Sequence, residues 1–140
     1  MKILKSSAVI MLVALSLFAC NSQPKEKQEA SLEISEDVLV FYFHNTKRCE
    51  TCNAVEDETK VALEMFYGEQ MKEGRIDFTS LNLEEDDGKS MAEVLQVSGQ
   101  TLLIVKGESH INLTNEGFLN ARTNPTKFHE IIKTQIDKLL

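Results

Sequence analysis

Cys49 and Cys52 stand three residues apart in Cys49-Glu50-Thr51-Cys52, directly after the apolar run 38–43 and at the opening of an amphipathic segment. Two thiols at that spacing on the first turn of a helix can close a small disulfide, and the backbone N–H groups there stabilise a thiolate. The chemistry open to the pair is therefore disulfide exchange or soft-metal binding, with a static structural disulfide as the third reading. A loop this short restricts little chain entropy, so the bond would contribute less stability than a long-range staple. Cys20 lies far from the pair.

The neighbours of the pair pull in both directions. Lys47, Arg48 and the helix N-terminus favour a Cys49 thiolate, whereas Glu50 opposes it at close range. One pKa unit is about 1.4 kcal/mol, within reach of either influence. His44, at the end of the apolar run, is either a proton donor or metal ligand near the thiols or a hydrogen-bonded strand-end residue. His110 and His129 fall in a hairpin and a terminal helix and read as peripheral. Glu56, Asp57, Glu58 and Glu64 read as a solvated helical face. No phosphate-cradling glycine loop or Ser-His-Asp arrangement occurs, no cofactor is expected, and no dedicated metal site is assigned.

The pair needs a strand and a helix to hold it, and the sequence supplies both. The run 38–43 suits a strand buried on both faces, and 50–67 suits a helix stopped by Gly68. Alternation marks a second strand at 76–83. An acidic loop, 84–88, then leads to a short helix at 89–97. Thr101-Leu102-Leu103-Ile104-Val105 reads as a buried strand, followed by a turn at 106–108 and a shorter strand at 110–113. The last helix opens with Asn124 as N-cap and Pro125 at the first helical position. Phe128, Ile131, Ile132, Ile136, Leu139 and Leu140 form its apolar stripe.

Residues 1–19 carry Lys2 and Lys5 ahead of an apolar stretch well short of the about 20 residues that span a membrane, and so read as an export signal. Leu17-Phe18-Ala19-Cys20 resembles the lipobox of bacterial lipoproteins, with Phe18 bulkier than usual. That resemblance implies lipidation of Cys20; an ordinary cleaved signal is the alternative. Residues 20–36 are polar and charged and read as a tether, leaving 37–140 for one domain. Beyond Cys20, the sixteen flexible residues 21–36 span about 20 to 25 Å. The whole chain has net charge −7; loss of Lys2 and Lys5 with the signal leaves 13 basic against 22 acidic residues, a net −9. A nucleic-acid partner is excluded on that balance, because no basic stripe exists to replace counterions.

The order strand, helix, strand, helix, strand, strand, helix, with the cysteine pair at the first strand-to-helix junction, resembles the thioredoxin family over residues 38–140. The resemblance implies an α/β fold, a central mixed sheet of about four strands flanked by helices. It also implies an oxidoreductase in which Cys49 is the attacking thiolate and Cys52 resolves the mixed disulfide. Tyr42 to Asn53, with Ser98-Gly99-Gln100-Thr101 and Asn120-Ala121-Arg122, is similar to a group of small bacterial thioredoxin-like proteins that carries the label nitrophenyl-compound nitroreductase subunit. No flavin-binding pattern accompanies it.

The sequence departs from the family at three places. The cis-proline that usually faces the motif is missing, and Gln100 or Thr101 must stand there. Arg48 replaces the usual aromatic residue before the first cysteine, and the buried acid and lysine map to an apolar strand residue and Ser80. Arg48, Gln100 and Thr101 are the candidate substrate contacts. The expected partners are protein thiols or disulfides and a redox partner, with the membrane reached through the lipid anchor. The expected location is the periplasm-facing cell envelope, and Asn21 in place of an aspartate points to the outer membrane. A metal-delivery protein using the two thiolates, with His44 or a partner's ligand, and a redox-inert adaptor are the rival functions.

Overall fold

The computed structural model describes residues 36–140. The expected signal 1–19, Cys20 and all of the tether except Glu36 lie outside the described residues. Four strands form one sheet in the order β2-β1-β3-β4: β1 (Val38–His44), β2 (Ile76–Asn82), β3 (Thr101–Lys106) and β4 (Ser109–Asn112). β1 runs parallel to β2, pairing Val40 with Phe78, and antiparallel to β3, pairing Phe41 with Leu103. Helices α1 (Glu50–Lys72) and α2 (Asp86–Val94) join the first three strands, and α3 (Thr114–Asn120) and α4 (Pro125–Asp137) follow β4. This is the α/β, thioredoxin-like arrangement expected from the order of elements, with one helix more.

β1 takes the centre because both of its faces are apolar. Val38, Val40 and Tyr42 join Leu102, Ile104 and Ile76 in a core closed by Val55, Ala62 and Leu63 of α1 and Phe128, Ile132 and Ile136 of α4. Phe41 and Phe43, with Leu103 and Val105, face the other way onto Ala92 and Leu95 in and just after α2. Alternate side chains of a strand point to opposite faces, so one apolar run serves two cores. Glu84 to Asp87 form the leading loop and first turn of α2, where carboxylates favour the positive end of the helix.

Several boundaries move for physical reasons. α1 runs past Gly68, bending at Tyr67 (φ −134°, ψ 20°), and ends where Gly74 adopts φ +74°. The Gly74 and Arg75 N–H groups then bond Met71 O and Gln70 O, satisfying carbonyls of the last turn of α1. α2 begins at Asp86, not at residue 89, because the acidic residues form its first turn. It closes on Gln96, which adopts φ 55°. Leu140 is exposed and leaves the α4 stripe, whereas Phe128, Ile132 and Ile136 are buried as expected. Asn124 caps α4 by accepting from the Lys127 N–H.

α3 was not expected, since its seven residues bury only Gly117 and show no apolar period. A Cβ on Gly117 would stand 3.1 Å from Val55 and 3.3 Å from Phe128, so glycine lets α3 close on α1 and α4. Gly88 is tighter still. A Cβ there would lie 1.9 Å from the carbonyl oxygen of Asn82, at the end of β2. The absence of a side chain at Gly88 therefore fixes how closely α2 follows the sheet. Among the described residues no helix is long and apolar enough to cross a membrane.

Candidate functional site

β1 ends at His44, and a five-residue loop carries the chain to α1. Residues 44–46 are held from the C-terminal end of β2. Leu83 N–H bonds His44 O at 2.8 Å, the Asn82 side-chain amide donates to Thr46 Oγ1 at 2.9 Å, and Thr46 N–H reaches Glu84 Oε1 at 3.3 Å. His44 places Nδ1 3.0 Å from Asn45 O and stacks obliquely on Tyr42, so it is engaged as a strand-end residue.

Cys49 is the N-cap of α1. Its backbone is extended (φ −88°, ψ 163°), and its sulfur accepts the Cys52 N–H at 3.0 Å, the place that a serine or aspartate oxygen commonly takes. Cys49 and Cys52 form a disulfide with their Cα atoms 5.0 Å apart. The two cysteines differ in access: residue Cys49 is exposed, while Cys52 is 3% exposed, one turn into the helix. The Tyr42 hydroxyl donates to Cys52 O at 2.9 Å and so ties the first turn to the centre of the sheet. Burial raises the Tyr42 pKa against the opposing pull of Arg48, which keeps the donor protonated.

The charges beside the motif are largely paired. Glu56, expected on a solvated face, is 7% exposed and takes Arg48 on one oxygen and Lys60 on the other. Four residues after Cys52 the helix turns inward, and the carboxylate goes with it. Burial pushes the Glu56 carboxyl up, but the hydrogen bonds and charges of Lys60 and Arg48 outweigh it and hold the pKa below the ordinary value. Arg48 also lies over the Tyr42 ring, 5.4 Å from its centre. Glu50, which would oppose a Cys49 thiolate, pairs with Arg122 at 2.9 Å just beyond α3. Of the influences weighed on Cys49 from the sequence, Arg48 and Glu50 are thus neutralised in part by partners, while the N–H bond at the helix start acts on the sulfur directly.

A lowered carboxylate pKa adds stability above the unfolded value, about 4.3, and that contribution disappears as the pH falls through the lower folded value. Glu56→Gln is expected to cost about 2 kcal/mol at pH 7, as for loss of hydrogen bonds to a charged group. The gap between variant and parent should narrow in denaturant titrations as the pH approaches 3. A gap that stays constant over that range would show that the carboxylate charge contributes nothing.

The candidate substrate contacts take three different positions. Gln100 stands against the pair, with its side-chain oxygen 3.5 Å from Cys52 Sγ. Thr101 starts β3 and bonds back to Gly99 O at 2.9 Å. The Arg48 guanidinium is engaged with Glu56 and Tyr42 inside the chain. No described peptide bond is cis, so Gln100 approaches the disulfide from an ordinary trans backbone. His129, expected to be peripheral, pairs with Glu58 at 2.6 Å between α4 and α1; His110 is exposed on β4. Among the described residues no group of three or more His, Cys, Asp or Glu side chains is placed to hold a metal ion.

Sequence reasoning missed the roles of Tyr42, Glu56 and Arg122. The available signal was the four-residue step from Cys52 to Glu56 to Lys60 along one helix. The thioredoxin-like fold and a CxxC pair at disulfide distance are compatible with redox function. No protein-family model matches the chain, and no curated protein matches it. Among solved structures, one described as the structure of a malarial protein is 23% identical, with 53% of this chain and 74% of that chain covered and a TM-score of 0.39. A thioredoxin of Fasciola hepatica is 14% identical, with 71% and 82% covered and a TM-score of 0.45.

Proposed function

We propose that this chain is a thiol–disulfide oxidoreductase that exchanges disulfides with protein thiols, with Cys49 as nucleophile and Cys52 as resolving thiol. The observation that carries the reading is the asymmetry of the pair: Cys49 is exposed and accepts a helix N–H, while Cys52 is buried behind it. A thiolate at a helix start is stabilised and reachable, the two properties that an attacking sulfur needs. Reduction of a substrate disulfide would consume the dithiol and leave the Cys49–Cys52 bond; oxidation of a substrate dithiol would run the same steps in reverse. The direction is set by the reduction potential against that of the partner.

In the same reading the protein is a lipoprotein of the bacterial cell envelope, anchored through Cys20, facing the periplasm from the outer membrane. Residues 20–36 would let the domain range about 20 to 25 Å from the bilayer. The lipobox-like Leu17-Phe18-Ala19-Cys20 supports the anchor.

An equilibrium titration of the full chain in glutathione or dithiothreitol buffers, read by peptide-resolved alkylation of Cys49 and Cys52, tests the chemistry. A reversible two-electron transition of the folded protein, without stoichiometric metal in the same sample, is the expected result. A bond that opens only on unfolding would leave a structural disulfide, and one metal ion held per dithiol would favour metal delivery. Detergent-phase partition of the same protein, lost on Cys20→Ser, tests the anchor; wild-type protein in the aqueous phase would remove it.

A further inference from the structure

Gln100 is the side chain that meets the buried sulfur, and its chemistry fits one protonation state of that sulfur. An amide oxygen accepts a hydrogen bond from a thiol but repels a thiolate. In the disulfide no proton lies between Cys52 Sγ and Gln100 Oε1, 3.5 Å apart. Reduction places one there. We propose that Gln100 holds Cys52 as a thiol in the reduced protein, leaving Cys49 as the only thiolate and slowing the step that resolves a mixed disulfide. The inference rests on the oxidoreductase reading for its purpose, though the contact with the sulfur does not.

Three observations converge on this assignment. Cys52 is 3% exposed, so its thiolate would be poorly solvated. The Cys52 N–H donates to Cys49 Sγ at 3.0 Å, which favours charge on the other sulfur. The backbone that carries Gln100 is held, because the chain enters β3 at Thr101, where Thr101 pairs with Phe43, and Thr101 Oγ1 bonds Gly99 O at 2.9 Å. The oxygen therefore approaches from a fixed turn rather than a free loop.

The resolving step follows from this placement. The Cys52 thiol gives up its proton and its sulfur attacks Cys49 Sγ of the mixed disulfide. The Cys49–Cys52 bond forms, the bond from Cys49 to the substrate sulfur breaks, and the departing substrate sulfur takes up the proton. The first substrate thiolate, released when Cys49 attacked, takes its proton from water, so the substrate disulfide has been reduced to two thiols and the dithiol oxidised. Gln100 neither accepts nor donates a proton in this sequence. It favours the starting thiol, so the attack waits on loss of the S–H···O contact.

The test uses the full chain carrying Cys49→Ser, reduced with dithiothreitol, with the rate of Cys52 alkylation by iodoacetamide followed against pH by peptide-resolved mass spectrometry. Gln100→Ala removes the acceptor and opens the site. It should raise the neutral-pH rate at least about fivefold and move the profile to lower pH, as a fall in thiol pKa requires. Gln100→Glu keeps the shape and adds a negative charge, and should move the profile to higher pH. The glutamate variant carries the test should the alanine variant loosen the turn. Profiles within twofold of the parent in both variants, or a slower Cys52 in Gln100→Ala, would overturn the assignment; the second would place the amide nitrogen against the sulfur. Shifted profiles in a protein that shows no reversible dithiol transition would support the assignment and overturn the oxidoreductase reading.

Discussion

Cys52→Ser is expected to accumulate mixed disulfides between Cys49 and partner proteins when cells making the full chain are quenched in acid and their proteins separated without reductant. Cys49→Ser is expected to accumulate at least about tenfold fewer, since each pKa unit changes the thiolate fraction tenfold near neutral pH and the remaining sulfur is also shielded. The difference rests on geometry already described: an exposed sulfur that accepts a helix N–H, and a buried one faced by an amide oxygen. A metal-delivery protein would lose metal in both variants and trap nothing, and an inert disulfide would lose stability in both. Equal trapping by the two variants would reverse or abolish the assigned roles.

Gly88→Ala should be the most damaging single-methyl change among the described glycines. The added Cβ would meet the Asn82 carbonyl at 1.9 Å and its carbon at 2.5 Å, both backbone atoms of a strand end that cannot rotate away. Overpacking commonly costs about 1 to 3 kcal/mol, and here the relief requires moving α2 off the sheet, so a cost of about 3 kcal/mol or more is expected. In a domain of this size the thermal midpoint should fall by more than about 10 °C. Gly68→Ala is the matched control, with nothing within 4 Å of its Cβ inside α1, and should add about 0.5 to 1 kcal/mol. Similar midpoints for the two variants would show that α2 packs differently from this description.

Strand β1, strand β3 and the Asn124–Pro125 start of α4 were legible because each rests on local signals: continuous apolar runs, an N-cap and a proline. The cysteine pair was legible for the same reason, its spacing being a property of one helical turn. Glu56 was not, since its burial depends on Arg48 arriving from the loop before the helix and Lys60 from the next turn. The four-residue step from Cys52 was the one local sign that set Glu56 apart from Asp57, Glu58 and Glu64, and it does not show that two cations would be there to pair the charge. α3 escaped because its packing depends on a missing side chain at Gly117, which leaves no apolar period to read. Between Gln100 and Thr101, only the position of the turn before β3 decides which reaches the sulfur.

The contact between Gln100 and Cys52 joins residues 48 positions apart, whereas the bond between Cys49 and Cys52 closes within a single turn. A chain synthesised only as far as β2 already holds both thiols and the helix that brings them together, but not the residue that restrains one of them. Closure of this disulfide is therefore local, and its restraint is not. If Gln100 restrains Cys52 as proposed, the pair would pass through a period during biosynthesis when either sulfur is open to oxidants or to wrong partners. That period ends only when β3 docks against β1, so mutations that delay β3 would show first as misdirected thiol chemistry in new chains, ahead of any loss in the finished protein.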